Sequence, residues 1–322
     1  MIWGKERIFL KRLVVALGGN ALQEAGAPAT AEAQLEVVRK TARYIVDLVE
    51  KGYEVILAHG NGPQVGRIVL QNEGAAHITP AMPFDVCGAM SQGMIGYHIQ
   101  QAVGDELKRR GMGTPVVTLV TQVVVDRNDE AFKKPTKPIG PFYSMDEAKV
   151  LEREKGYTMK EDAGRGWRRV VASPKPVEIV ELPAVKTLVE AGVMLITVGG
   201  GGIPVIKKPD GSLEGTAAVI DKDLASERLA EDIDADALVI LTAVERVAIN
   251  FGKADQKDIS HMSVEEAERY IEEGHFAPGS MLPKVKAAVQ FARSGKGRKA
   301  IISSLEKAID ALEGITGTTI TA

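Results

Sequence analysis

The sequence predicts an α/β fold with a doubly wound, mainly parallel sheet and an inserted subdomain. Two observations carry that prediction. Apolar runs that end in glycine-rich turns recur at 13–20, 55–63 and 195–204, and segments of helical period separate them. Strands buried on both faces read as continuous apolar runs, and strand–helix alternation implies parallel pairing. In such sheets ligands bind outside the carboxyl ends of the strands. Glycines there let backbone N–H groups approach an anion, and a following helix N-terminus adds partial positive charge. Three such turns in one chain point to a shared pocket for a strongly anionic substrate, and so to a phosphate-handling enzyme.

The elements follow in order. Residues 13–17 form a strand. Leu35, Val38, Ala42, Ile45, Val46 and Val49 recur at helical spacing over 31–51, and Gly52 stops that helix. A strand over 55–58 precedes the second turn, a helix is expected from about 90 to 110, and 115–125, rich in β-branched residues, reads as one strand. Between about 126 and 176 the texture changes. Pro135, Pro138, Pro141, Pro174 and Pro176 mix with charged stretches such as 165–169, which suggests a subdomain or lid. The regular pattern returns with a helix near 183–191 and a strand over 193–198. Further on come a helix at 224–231, a strand at 237–241 and a capping box, Ser263 with Glu266, opening a helix through about 273. Pro283 sits in the first turn of another helix, with Val285, Ala288, Val289 and Ala292 on one face. A strand at 301–303, a helix at 305–313 and an edge strand at 318–321 close the chain.

Composition narrows the function classes. The 322 residues are 45% hydrophobic, ample for a large core, and the net charge of -3 argues against nucleic acid as the main partner. No uncharged apolar run reaches the roughly 20 residues that span a bilayer, so no membrane partner is expected. One cysteine, Cys87, cannot form an internal disulfide and fits a reducing, cytoplasmic setting. Residues 1–12, with five charged side chains among them, read as an N-terminal extension without a cleavable signal.

Several phosphate-handling motifs are absent. Each Gly-Lys pair is followed by the wrong residue for a Walker A loop, and protein-kinase signatures are missing. Gly60, Gly62 and Gly66 approach a dinucleotide fingerprint, but Pro63 stiffens the turn and no acidic residue follows at the required distance. Two lysine motifs say more. Lys222 stands between Asp221 and Asp223 just before a helix. Lys284 lies in the first turn of another helix, where the dipole disfavours a cation unless an anion shares the terminus. Singly, either lysine also fits a solvated charge near a cap. With three glycine turns they fit an anion pocket better. His59 and Cys87 read as packed residues, and the arginines of 165–169 as a solvated cluster or a lid or dimer contact.

Motifs in order along the chain complete the reading: Val14 to Leu22, His59 to Gly66, Pro135 to Tyr143, Glu161 to Arg169, Gly199 to Pro204, Ile220 to Leu224 and Gly279 to Val285. Together they resemble the carbamate kinases, of the amino-acid-kinase fold family, from Leu13 to the C-terminus. The resemblance implies an open sheet sandwiched by helices and a protruding subdomain. It implies an N-lobe (13–214, containing the subdomain) for carbamate or carbamoyl phosphate, a C-lobe (215–322) for nucleotide, and a homodimer. The implied reaction is reversible phosphoryl transfer between ATP and carbamate, giving ADP and carbamoyl phosphate, run toward ATP in breakdown of arginine or related compounds.

The resemblance also assigns roles. Lys222 and Lys284 flank the transferring group, Asp223 orients both, and Lys137 reaches over the site from the subdomain. In related kinases a first-strand lysine approaches the phosphoryl group; Ala16 and Leu17 provide none, and Lys137 substitutes. Gly18, Gly19, Asn20, Gly60, Asn61, Gly62, Gly200 and Gly201 supply the carbamoyl-phosphate cradle. Thr242, Ala243, Val244, Met281, Pro283 and Lys284 line the nucleotide, with Mg²⁺ held largely by phosphate oxygens. Two alternatives stand beside this reading: an acetylglutamate- or aspartate-type kinase, and a non-catalytic anion or nucleotide sensor on the same fold.

Overall fold

Arg12 opens the central strand, Arg12–Leu17, with its guanidinium on Glu54 at 2.5 Å and its backbone N–H on Asp236 at 2.7 Å. The sequence reading left Arg12 in the N-terminal extension; these contacts make it part of the sheet. The computed structural model describes residues 11–24, 26–162 and 164–322, so most of the proposed extension lies outside the described residues.

Eight strands form the main sheet, in the order His261–Ser263, Thr318–Thr321, Lys299–Ser304, Ala237–Thr242, Arg12–Leu17, Glu54–His59, Met194–Ile196 and Val116–Thr118. The six from Lys299–Ser304 to Val116–Thr118 pair in parallel, while Thr318–Thr321 runs antiparallel to its neighbour Lys299–Ser304. Alternation divides the core in two. Val14 and Ala16 face a cluster with Leu229, Val285 and Phe291; Leu13, Val15 and Leu17 face another with Ile45, Ile99 and Leu107. Both faces are covered by helices, which is why the strand sequences are apolar throughout.

Register aligns the strand ends. Leu17 pairs with His59 on one side and Leu241 on the other, and Leu57 pairs with Ile196. The turns that follow these strands therefore emerge along one edge of the sheet.

Three expectations need correction. The run over 115–125 is two strands: Val116–Thr118 edges the main sheet, and Gln122–Val124 joins a separate four-stranded sheet. Between them Thr121 leaves the ladder, giving its N–H to Gln92 Oε1 at 2.9 Å and sharing its hydroxyl with Thr197 at 2.8 Å. β-branched residues report strand propensity, not which sheet a strand joins. Thr318–Thr321 is not an edge, because His261–Ser263 pairs outside it. The helix expected from about 90 starts at Phe84, and Gly62–Gly74 forms a helix that its glycines hid from the sequence reading. The predicted capping box is present, with Ser263 and Glu266 opening Val264–Glu272.

The 126–176 stretch contains a three-stranded antiparallel sheet, Lys137–Tyr143, Thr158–Glu161 and Trp167–Val171, and the helix Met145–Lys155. It rests on the helix Gly62–Gly74. A Cβ at Gly66 would lie 2.2 Å from the backbone of Gly140, so only glycine permits this approach. The arginine cluster is structural: within the subdomain Arg168 donates to the Gly140 carbonyl at 2.9 Å, and Arg169 joins it to the helix by reaching Glu73 at 3.6 Å while stacking over Tyr157.

Candidate active site

The second and third glycine turns are in contact. After Met194–Ile196 the chain reverses through Val198, held at φ 44, and then Gly200, Gly201 and Gly202, all at positive φ. A β-branched residue there is strained. A Cβ on Gly200 would strike the Asn61 side chain at 2.2 Å, and one on Gly201 the Ile220 carbonyl at 2.3 Å. Asn61 in turn donates to Ser91 Oγ at 2.8 Å, which fixes the second turn against the helix Phe84–Arg109. The first turn is tied to the nucleotide-assigned loop, since Asn20 Nδ2 donates to the Thr242 carbonyl at 3.3 Å.

Next to these turns, the helix Lys222–Asp232 begins at Asp221. This N-cap accepts the Asp223 N–H on Oδ1 at 2.9 Å, and its Oδ2 accepts Lys137 Nζ at 2.5 Å. Asp223, 2% exposed, accepts Lys222 on one oxygen at 2.5 Å and Lys284 on the other at 2.8 Å. Three ammonium groups from three separate elements thus share two carboxylates, an excess of one positive charge. The Lys222 stem lies against Gly60, where a Cβ would be 3.2 Å from its Cδ.

Burial and pairing set the charges. Burial raises the Asp223 carboxyl, but Lys222 and Lys284 outweigh that and hold it well below the usual carboxylate range. Burial pulls Lys222 down to about 8, with Asp223 opposing and the Lys284 charge adding to the fall. Lys284 ends above its ordinary value, because Asp223 outweighs its burial. The anion at the terminus of Met281–Arg293 is therefore supplied in part by Asp223 itself. His59, beside this cluster, is pushed down to about 4 by burial, so it is neutral at pH 7. Its Nδ1 donates to the Gly60 carbonyl at 3.0 Å, and its Nε2 faces Gly199.

The structure therefore brings together Lys137, Lys222, Asp223 and Lys284, and stacks the turns of Gly60 to Gly62 and of Gly200 and Gly201. Gly18 and Gly19 follow the adjacent central strand. Thr242, Ala243 and Val244 follow the next strand, while Met281 and Pro283 occupy the first turn that carries Lys284. Sequence reasoning gave Asp221 no role, although an aspartate before a predicted helix start is a capping signal. Ser91 had no sequence signal at all, and it arrives from mid-helix by packing. Among the described residues no group of three or more His, Cys, Asp or Glu could hold a metal. Both carboxylates of the cluster are occupied by ammonium groups.

Glycine turns at strand ends beside lysines gathered at two helix N-termini are an arrangement suited to binding an anion, and the fold that carries it belongs to a known family. The Amino acid kinase family profile matches residues 11–304, and the chain belongs to that family. Within it the chain is similar throughout to the carbamate kinases, which are phosphotransferases. It is 57% identical to "Carbamate kinase" of Clostridium perfringens, over 96% of this chain and 99% of the relative. It is 58% identical, with the same coverage, to "Carbamate kinase-like protein YqeA" of Escherichia coli. A solved structure, carbamate kinase from Giardia lamblia bound to AMP-PNP, matches with a TM-score of 0.89 and 45% identity, over 97% of this chain and 99% of that one.

Proposed function

We propose that this enzyme catalyses reversible phosphoryl transfer between carbamoyl phosphate and ADP, giving carbamate and ATP. The observation that carries the reading is Asp223 holding Lys222 and Lys284 side by side, with Lys137 on the adjacent Asp221. An oxygen of the ADP β-phosphate forms the new bond to phosphorus as the bond to the carbamate oxygen breaks. Both nucleophile and leaving group are already anionic, so no proton moves and no general base is needed. What remains is positioning and neutralisation, the main contributions in phosphoryl transfer.

Lys222 and Lys284 neutralise oxygens of the transferring group and of ADP; Lys137 exchanges Asp221 for the phosphoryl group from above. The turns of Gly18 to Asn20, Gly60 to Gly62 and Gly200 to Gly201 cradle carbamoyl phosphate. Thr242, Ala243, Val244, Met281 and Pro283 line the nucleotide. Mg²⁺ enters as part of the substrate, on the nucleotide phosphates. The two proposed lobes meet inside one sheet, at the pairing of Arg12–Leu17 with Ala237–Thr242.

The working direction is toward ATP, in cytoplasmic breakdown of arginine or related compounds. No helix among the described residues is long and apolar enough to cross a membrane. A homodimer is supported by Val86, Met90 and Tyr97, exposed along one stripe of Phe84–Arg109. The test is ATP formation from ADP, Mg²⁺ and carbamoyl phosphate, with acetyl phosphate and acetylglutamyl phosphate as alternative donors. Faster ATP formation from carbamoyl phosphate than from both others supports the reading. Preference for another acyl phosphate assigns an amino-acid kinase, and silence with all three a sensor.

A further inference from the structure

The third glycine turn is held under strain by side chains to which the proposed reaction gives no part. Val198, fully buried, sits at φ 44, where a β-branched residue is disfavoured, and such a conformation persists only where its surroundings over-determine it. Thr121 and Gln92 supply that restraint. The Val198 N–H donates to Thr121 Oγ1 at 3.2 Å, and Gln92 Nε2 donates to the Gly199 carbonyl at 2.8 Å. Gln92, itself buried, also locks Thr121 in place. Its Nε2 donates to the Thr121 carbonyl at 3.0 Å, and its Oε1 accepts the Thr121 N–H at 2.9 Å. The second turn is held from the same helix. Ser91 precedes Gln92 on Phe84–Arg109 and accepts Asn61 Nδ2 at 2.8 Å, while its own hydroxyl donates to the Gly88 carbonyl at 2.6 Å. Asn61 is the side chain that a Cβ on Gly200 would strike. Two successive residues of one helix therefore grip two turns that touch each other.

We infer that Ser91, Gln92 and Thr121 are positioning residues for the acyl-phosphate donor: they fix the turn of Gly60 to Gly62 against that of Gly199 to Gly202, so that both meet the donor in one arrangement. None of the three needs to touch the substrate. Glycines are conformationally permissive, so a turn made of four of them keeps one shape only with anchors outside it. Neighbours on a helix point about 100° apart, which lets one rigid helix hold two partners at a set separation. Without Gln92 and Thr121, Val198 can leave the left-handed region, and the glycines after it move with it. The lysines stand apart from this device, because Asp221 and Asp223 hold them. Loss of an anchor therefore falls on the donor and spares the nucleotide, which is assigned to other elements.

This inference rests on the proposed use of these turns as the donor cradle, and the experiment separates the two. Kcat and KM for carbamoyl phosphate, ADP affinity by calorimetry and Tm are measured for wild type and for each variant. Ser91→Ala, Gln92→Met and Thr121→Val are each expected to lower kcat/KM for carbamoyl phosphate by roughly ten- to a hundredfold, with ADP affinity near wild type. Thr121→Ser, which keeps the hydroxyl, should recover most of what Thr121→Val loses. Hydrogen exchange of the peptide over 197–204 should quicken in Gln92→Met and Thr121→Val. Parallel losses for donor and ADP, or an unchanged kcat/KM in folded variants, would overturn the assignment while leaving the reaction intact. If wild type uses acetyl phosphate in place of carbamoyl phosphate, the proposed reaction fails, and the same comparison with acetyl phosphate decides the positioning. Wild type silent with every acyl phosphate would remove both. If Gln92→Met does not fold, Ser91→Ala and the two Thr121 variants decide.

Discussion

Lys137 Nζ lies 2.5 Å from Asp221 Oδ2, across 84 residues of sequence. The contact ties the protruding subdomain to the N-cap of the helix that carries Lys222 and Asp223. Asp221 has two tasks, capping and holding Lys137, and Lys137 has one. Lys137→Met is expected to lower kcat by roughly a hundredfold or more, with little change in Tm, because a partly exposed ion pair contributes about 1 kcal/mol or less. Asp221→Ala is expected to lower kcat and also cost about 1 kcal/mol through the lost cap. Steady-state kinetics beside thermal unfolding of both variants checks the split.

Gly66→Ala tests how the subdomain is seated. Its Cβ would meet Gly140 Cα and N at 2.2 Å, atoms of backbone that cannot swing aside. The strand Lys137–Tyr143 must move, and Lys137 with it. A displacement of about 1 Å can cost a hundredfold in rate. Kcat is expected to fall tenfold or more while ADP affinity, measured by calorimetry, stays near wild type.

Lys222 gives the site an alkaline limit. With its ammonium pulled down to about 8, kcat/KM for carbamoyl phosphate is expected to decline as pH rises through that value. Asp223→Asn removes the charge that keeps Lys222 protonated, so the decline should move to lower pH. Stability runs the other way. Between about 8 and the ordinary lysine value near 10.4 the unfolded chain binds more protons at this group, so its contribution to stability improves with rising pH. A pH–rate profile of wild type and Asp223→Asn decides the first point, and denaturant titrations at pH 8 and 10 the second.

His59 predicts loss of stability in acid. It is held neutral down to about 4, whereas an unfolded histidine protonates near 6.5. Below 6.5 the unfolded state binds more protons, so stability falls as pH drops toward 4, by at most about 3 kcal/mol. Unfolding midpoints in urea at pH 7, 6, 5 and 4, compared with His59→Gln, measure this contribution; the variant should flatten part of the slope.

Much of the fold was legible because it is written locally. The apolar runs ending at Leu17 and His59, the stop at Gly52 and the Ser263–Glu266 box each report the preference of a few adjacent residues. The errors fell where a distant partner decides. The glycines that hid the helix Gly62–Gly74 include Gly66, and nothing near Gly66 in sequence announces Gly140, whose close approach requires it. Nothing in 115–125 announces Gln92 and Thr197, which pull Thr121 out of the ladder. At the site, Lys222 and Lys284 were readable from their places at helix starts, while the hydrogen bond of Asn61 to Ser91 was not.

By itself the sequence determined the strand–helix alternation, the glycine turns and the residue types available for phosphoryl transfer. These depend on local propensity and on which side chains a turn can hold. Only the tertiary structure decided that Asp221 receives Lys137 and that Ser91 holds Asn61. Each depends on a distance between elements far apart in the chain, fixed by packing against the two cores of one sheet.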